Sequence, residues 1–319
     1  MQYLKMLFYN LVRRQGKYDS FVIKNFWKKG LNMYILIGII SVIVIIYLTW
    51  QHQELKKFQV THYEMSTPKI SSEIKIAVVS DLHSFSYGTD NKLLLRSVRD
   101  AAPDLILIPG DLIVTAKTEK YDIALQFVRQ LGTLGIPVIC SNGNHESKAQ
   151  LPESDSCAAY ERYRSQLEQS GAMLLNNKSC TLALGGTRIR VSGLELPLSS
   201  YKKGRKPYLA EDYIPSQLGA ASQDCLQVLL AHHPAFAGQY AAWGADITVC
   251  GHNHGGLVCI PGLGSVISPQ FVPFPEYDAG EFTVDGRKIY ISRGLGTHTF
   301  HIRVFNRAEL VVITVKPES

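Results

Sequence analysis

Ser141-Asn142-Gly143-Asn144-His145-Glu146 is the stretch on which the fold turns. It follows Ile136-Pro137-Val138-Ile139-Cys140, an apolar run that reads as a short buried strand. An amide, an imidazole and a carboxylate therefore stand together on the turn leaving that strand. Four other places repeat the arrangement. Asp81-Leu82-His83 follows the apolar run 74–79, and Gly110-Asp111 follows Leu105-Ile106-Leu107-Ile108. His232-His233-Pro234 follows Val228-Leu229-Leu230-Ala231, and Gly251-His252-Asn253-His254 follows Ile247-Thr248-Val249-Cys250. Open α/β sheets bind ligands at the carboxyl ends of their strands, so five such ends would bring these donors to one rim.

A chain of 319 residues holds one large α/β domain or two smaller ones, with room for a terminal appendage. Hydrophobic content of 46% with 19% charged residues belongs to a globular chain and excludes a disordered one. The net charge of +6 forms no dense nucleic-acid patch, because much of the excess sits in the first thirty residues. There Lys5, Arg13, Arg14, Lys17, Lys24, Lys28 and Lys29 face only Asp19, a topogenic pattern, and no nucleic-acid partner is expected.

Leu31 to Trp50 carries no charge, and its length meets the roughly 20 residues at ~1.5 Å rise that a bilayer-spanning helix needs. The β-branched run from Ile39 to Ile46 favours a strand in water, but in lipid only a helix satisfies its own backbone. Tyr34, Tyr47 and Trp50 lie near the two ends, where aromatic rings favour the interface. Residues 11–30 carry Arg13, Arg14, Lys17, Lys24, Lys28 and Lys29, whereas residues 51–70 carry Lys56, Lys57 and Lys69. The positive-inside rule thus expects a single-pass protein of the cell membrane, with its N-terminus cytoplasmic and the remainder extracytoplasmic. A cleaved signal peptide is the rival, but no small-x-small site follows Trp50, so a signal anchor is the better reading. The expected organisation is a basic cytoplasmic segment (1–30), a transmembrane signal anchor (31–50), a linker (51–72) and one domain (73–319).

Within that domain, strands are expected at 74–79, 105–108, 136–140, 226–231, 246–250, 281–284, 288–292 and 310–315. Helices are expected at 91–100, 121–134, 158–170 and 235–243; Ile123, Leu125, Phe127, Val128, Leu131 and Leu134 keep helical spacing in the second. Strand–helix alternation argues for βαβ units. Short strands at Met173–Leu175, Cys180–Leu184 and Thr187–Ser192 suggest a meander around the Gly185-Gly186 turn. Residues 198–216 read as a polar loop, in which Lys202, Lys203, Arg205 and Lys206 are more simply solvated charges than an anion site. Residues 255–280 read as a long Gly- and Pro-rich loop. Six cysteines show no Cys-x-x-Cys spacing, so a zinc knuckle is not expected, and Cys140 and Cys250 read as small core hydrophobes.

The rim collects Asp81, His83, Asp111, Asn144, His145, His232, His252 and His254. Carboxylates, imidazoles and one amide without a thiolate suit zinc, manganese or iron. Seven ligands are too many for one ion with an open position and about right for two ions sharing a carboxylate. Two ions ~3.5–4 Å apart clamp the attacking and leaving oxygens of a phosphoryl displacement. A single histidine after a strand is ordinarily structural or solvent-exposed, which is how His52, His62, His298 and His301 are read. The specific signal is all five groups in order, each after a strand.

In that order, Asp81-Leu82-His83, Gly110-Asp111, Gly143-Asn144-His145-Glu146, His232 and Gly251-His252-Asn253-His254 resemble the calcineurin-like metallophosphoesterase superfamily over roughly residues 74 to 316. The anchor-then-domain order, with Gly255-Gly256 and Ser292-Arg293-Gly294-Leu295-Gly296, is similar to its bacterial membrane-attached phosphodiesterase branch. The resemblance implies an α/β fold, a four-layer α/β/β/α sandwich with the site on one edge. It also implies two divalent metal ions (Mn, Zn or Fe), one held by Asp81, His83 and His254, the other by Asn144, His232 and His252, with Asp111 bridging. His145 would be catalytic rather than a ligand, stabilising charge on the phosphoryl group or protonating the leaving oxygen. His232 rather than His233 matches the motif. A hydroxide bridging the metals would attack phosphorus directly. Asp104 and Glu146 are candidates to support the ligands from behind, and read equally well as solvated loop charges.

The leading expectation is a membrane-anchored two-metal phosphoesterase acting on a phosphodiester or pyrophosphate bond, with a lipid- or envelope-linked substrate among the candidates. A UDP-2,3-diacylglucosamine-type pyrophosphatase is a competing reading, opposed by the expected topology because that substrate lies on the cytoplasmic side. A non-catalytic envelope scaffold is the reading from another class, opposed by the complete ligand set.

Overall fold

The computed structural model describes residues 6, 20–297 and 301–318. Lys5, Arg13, Arg14, Lys17 and His298, all singled out above, lie outside them. The chain divides into two units, Met1–Gln53 and Glu54–Ser319. In the first, helix α1 (Ser20–Glu54) contains the apolar span expected from sequence, and its portion Asn32–Glu54 is long and apolar enough to cross a membrane. The apolar side chains there, from Met33 through Leu48, are exposed rather than packed, as a lipid-facing helix requires.

In chain order the strands of the second unit are β1 (Phe58–Thr67), β2 (Ile74–Val78), β3 (Leu105–Ile108), β4 (Val138–Cys140), β5 (Met173–Leu174), β6 (Lys178–Leu184) and β7 (Thr187–Leu194). They continue with β8 (Leu226–Ala231), β9 (Ile247–Cys250), β10 (Val258–Ile260), β11 (Gly264–Ile267), β12 (Gly280–Val284), β13 (Arg287–Ile291) and β14 (Ala308–Pro317). The helices are α2 (Lys92–Ala101), α3 (Tyr121–Gly132), α4 (Asn144–Ala149), α5 (Cys157–Gln169), α6 (Tyr213–Leu218) and α7 (Ala237–Trp243). One six-stranded sheet runs β1-β14-β2-β3-β4-β5 and another β12-β13-β9-β8-β7-β6, while β10 and β11 form a separate hairpin. Strands β2 through β5 are mutually parallel, as are β7, β8, β9 and β13, so the carboxyl ends within each sheet share one edge.

Period-two alternation builds the layers. Ile74, Ile76 and Val78 of β2, Leu105 and Leu107 of β3, Val228 and Leu230 of β8, and Ile247 and Val249 of β9 meet in one core between the sheets. The intervening Ala77, Ile106 and Ile108 turn the other way and pack with Leu94, Phe127 and Leu167 of α2, α3 and α5. On the far side Leu229, Ala231 and Cys250 pack with Ile214, Phe236 and Tyr240 on and beside α6 and α7. Helices thus cover both outer faces, which is the expected α/β/β/α sandwich.

The strands differ from the sequence reading in three places. Residues 51–72, read as a linker, contain β1, which pairs in parallel with β14 from Phe58↔Ala308 to Thr67↔Pro317. This is an edge strand with one side wet, so its apolar residues are spaced too widely to stand out; Tyr63 and Met65 nevertheless pack on the inter-sheet core. Strand β5 is no part of a meander, since it adds to β4 in the first sheet, and only β6 and β7 form the hairpin at Gly185-Gly186. The loop 255–280 holds the β10–β11 hairpin.

If β1 belongs to the cooperative unit, Phe58→Ala, which removes a ring 4.7 Å from Tyr87, lowers unfolding free energy by about 1–3 kcal/mol. The shift of the denaturant midpoint measures it, and an unmoved midpoint places 58–67 outside the unit.

Candidate metal centre

The turns that leave β2, β3, β4, β8 and β9 meet at one buried point. Their backbone is contorted: Asp81 (φ 51), His83 (φ 49), Asp111 (φ 55), His252 (φ 67) and His254 (φ 50) all adopt the left-handed conformation. Non-glycine residues rarely do so, at a cost on the order of 1–3 kcal/mol each, and such strain concentrates at functional sites. Two glycines permit the close approach of the turns. A Cβ at Gly143 would run into Asp111, and one at Gly251 into Ser80 and Asp81.

Asp81, His83 and His254 bring one donor atom each within 4.8 Å of one another, as do Asp111, His232 and His252, and also His83, Asp111 and His145. His83 Nε2 lies 3.0 Å from His254 Nε2, which lies 3.4 Å from Asp81 Oδ1. His232 Nε2 lies 3.1 Å from Asp111 Oδ2, and His83 Nε2 lies 3.9 Å from the same oxygen. Asp111 is therefore common to two of these groups and stands between the other ligand sets. Both carboxylates are anchored from the opposite turn: His145 N–H donates to Asp111 Oδ1 (2.9 Å), and His252 N–H to Asp81 Oδ1 (3.0 Å), the oxygen that also faces His254.

The residues fit a pair of cations. Asn144 Oδ1 and His252 Nε2 are buried with no hydrogen-bond partner among the described residues, a situation native proteins otherwise avoid. The donors are nitrogen and oxygen only, and they converge in two adjacent groups, Asp81–His83–His254 and Asp111–His232–His252, with Asp111 reaching toward His83 of the first. The six cysteines are free, and burial pushes the thiols of Cys140 and Cys250 up, away from the thiolate a metal would need. This is a binuclear metal-binding site.

Electrostatics within the cluster are those of charges taken out of water. Burial works against a charged His232, but the carboxylates of Asp111 and Asp81 outweigh it and raise its pKa to about 9. Burial likewise opposes the Asp111 anion, yet His232 and His145 hold it well below the usual carboxylate range. Burial drives the His252 pKa well down, keeping its ring neutral as a ligand must be.

Residues around the cluster fix its members. Glu146, buried in α4, accepts the N–H of Asp111 (2.9 Å), of Gly143 (3.0 Å) and of Ile113 (3.2 Å), so it clamps the β3 turn to the β4 turn. Burial and the Asp111 carboxylate push it up to about 8. Asp104 has no such role; it is exposed at the amino end of β3, where it accepts the N–H of Lys75 (2.8 Å). His233 spends both ring nitrogens on structure, Nδ1 accepting from Ala235 N–H (3.2 Å) and Nε2 facing Gln270 Oε1 (3.0 Å). His62 lies in β1 opposite Val312, and His301 meets Thr297 Oγ1 at 2.8 Å, so neither is among the clustered residues.

Four residues absent from the sequence reading border the centre. Thr115 N–H donates to His145 Nδ1 (3.1 Å), and Thr115 Oγ1 donates to the His145 carbonyl (2.8 Å). Tyr201 packs edge-on against His252 with ring centroids 4.9 Å apart. Asn306 Nδ2 donates to the carbonyl of His254 (2.6 Å). Glu195 Oε1 accepts from Ser147 Oγ (2.6 Å) and Asn142 Nδ2 (3.3 Å), beside the β4 turn. Only Glu195 had a signal in the sequence, because it follows directly on the alternating strand β7 as the other donors follow their strands.

Comparison with known proteins agrees with this geometry. Residues 74–256 match the family model described as calcineurin-like phosphoesterase. Among relatives, an uncharacterised metallophosphoesterase of Bacillus subtilis, YkuE, is 27% identical over 247 residues, covering 76% of this chain and 79% of that protein. Phosphodiesterase YaeI of Escherichia coli is 24% identical over 252 residues, covering 76% and 82%. The UDP-2,3-diacylglucosamine pyrophosphatase LpxG of Chlamydia muridarum is 23% identical over 321 residues, covering 83% and 92%. With its family model matched across more than half its length and its His and Asp side chains gathered at the strand ends of a two-sheet sandwich, the chain belongs to the calcineurin-like phosphoesterases and is a metal-dependent hydrolase.

Proposed function

We propose that the protein is a membrane-anchored phosphoesterase, of the bacterial membrane-attached phosphodiesterase branch, that hydrolyses a phosphodiester or pyrophosphate bond. The observation that carries this reading is the place of Asp111, which groups with His232 and His252 and also lies 3.9 Å from His83 of the Asp81–His83–His254 group, an arrangement that suits two ions and an in-line displacement at phosphorus. One metal is assigned to Asp81, His83 and His254, the other to Asn144, His232 and His252, with Asp111 between them. When bound, two divalent ions supply a water acidic enough to act as nucleophile at neutral pH and offset negative charge on the phosphoryl oxygens.

His145 does the protein's own share of the chemistry. Because Nδ1 accepts the Thr115 N–H, the ring proton sits on Nε2, and burial lowers the pKa so that the ring is neutral. A neutral Nε2–H donates a hydrogen bond to the phosphoryl oxygen and so stabilises the charge that develops there. Thr115 holds the tautomer, and Glu146 keeps the two central turns in register.

The charge bias about the apolar span favours a cytoplasmic N-terminus and an extracytoplasmic second unit. A pyrophosphatase for UDP-2,3-diacylglucosamine is the second reading, favoured by the likeness to LpxG. A phosphatase reporter fused at the C-terminus separates the two: activity outside the membrane supports the first, and a reporter confined to the cytoplasm supports the second.

Asp111→Asn and His252→Ala are expected to abolish metal-dependent hydrolysis of an activated phosphodiester and to cut bound metal measured by elemental analysis, with the circular dichroism spectrum unchanged. His145→Ala is expected to lower turnover by about 10²–10⁴-fold with metal content retained; loss of both metals in that variant would contradict its assignment. Chelation should remove activity, and added Mn²⁺ or Zn²⁺ should restore it.

A further inference from the structure

Three segments beside the metal centre form one continuous surface. The basic loop is tied to the segment after β11 by Gly204 N–H donating to the Gln270 carbonyl (3.1 Å), and Lys203 Nζ lies 5.1 Å from the centre of the Phe271 ring. The β10–β11 hairpin is tied to residues 302–306 by Cys259 N–H donating to the Val304 carbonyl (3.0 Å). This surface adjoins the ligands: Asn306 Nδ2 reaches the carbonyls of His254 and Gly256, and Gln270 Nε2 reaches the carbonyl of Ser200, next to Tyr201.

Its composition is unusual for a face turned to water. Of the large apolar side chains exposed by the second unit, Ile260, Leu263, Phe271, Phe274, Ile302 and Phe305 lie here, Tyr208 lies in the basic loop, and among the described residues only Val60 and Leu93 lie elsewhere. Leu263 is 74% exposed, Phe274 67% and Phe305 69%. Exposed apolar residues gathered in this way mark an interaction site rather than ordinary surface. Lys202, Lys203, Arg205 and Lys206 are exposed alongside. Aromatic and aliphatic tips with a basic collar match the two layers of a lipid interface, acyl boundary and anionic headgroup. The chain itself supplies the proximity: α1 ends at Glu54 and β1 begins at Phe58, so three residues separate a helix able to span a bilayer from the domain. So short a tether keeps the effective concentration of bilayer at the domain high, and a weak second contact suffices.

We infer that the surface made by the basic loop, the β10–β11 hairpin and residues 302–305 docks on an anionic phospholipid bilayer, its apolar tips entering the interface. So placed, the metal centre draws its phosphoester from the headgroup layer, a consequence that rests on the hydrolase function proposed above.

The test uses the full chain in phosphatidylglycerol-containing vesicles carrying a photoreactive phospholipid, with adducts mapped by peptide mass spectrometry. Adducts are expected on peptides containing Leu263, Phe274 and Phe305 as well as on α1. K203E combined with R205E, two exposed loop changes away from the ligands, should deplete the loop adducts and spare those on α1. Adducts confined to α1 and residues 55–57 overturn the inference, as do protein–protein cross-links at the same peptides that grow with protein-to-lipid ratio, which would assign the surface to a second copy. The adduct pattern should be the same in Asp111→Asn, so docking succeeds or fails independently of hydrolysis.

Discussion

Two carboxylates withdrawn from water set the terms for the rest of the domain. Asp81 and Asp111 are 0% and 1% exposed and sit where the turns of both sheets converge. A buried charge is tolerated only when it is matched, and here the matching groups are the imidazoles of His83, His232 and His254 together with backbone N–H groups lent by the turn opposite. The matching groups come from four strand ends, those of β2, β4, β8 and β9. The two sheets must therefore stack in one register for the charges to be compensated, and the dry apolar core between them holds that register.

The same economy explains the strained turns. Left-handed backbone at Asp81, His83, Asp111, His252 and His254 aims short side chains inward from strands that would otherwise carry them past one another. Glu146 counteracts the resulting tendency to spring apart by accepting three N–H groups from two turns. It contacts the scaffold rather than the open face of the cluster, and its contribution is to hold other donors in place.

How much of this was legible in the sequence depends on whether the signal was local. The donors were visible because each stands directly after an apolar run, and runs such as Leu105–Ile108 are buried on both faces and so uninterrupted. Strand β1 was hidden for the opposite reason: it is half wet, and its partner lies some 250 residues further along, beyond any pattern in the neighbouring residues. Strand β5 is two residues long, so its choice of sheet rests on packing alone. Thr115, Tyr201 and Asn306 escaped because ordinary residues in ordinary loops acquire their roles only when the fold delivers them to His145, His252 and His254. Glu146 belonged to the visible motif, yet its burial, which separates a clamp from a solvated charge, is a property of the packed chain.

Strand β14 lies between β1 and β2, so the first and last segments of the domain are neighbours in the sheet. During synthesis residues 58–67 and 74–78 emerge early, but the strip that joins them is made last. Until residues 308–317 have been made, β1 has no ladder to join and β2 presents a raw edge, the kind of transient exposure that invites mispairing. Synthesis of β14, rather than completion of the ligand set at His254, thus closes the sheet, and a chain that stalls before residue 308 would carry every donor without the wall that holds them.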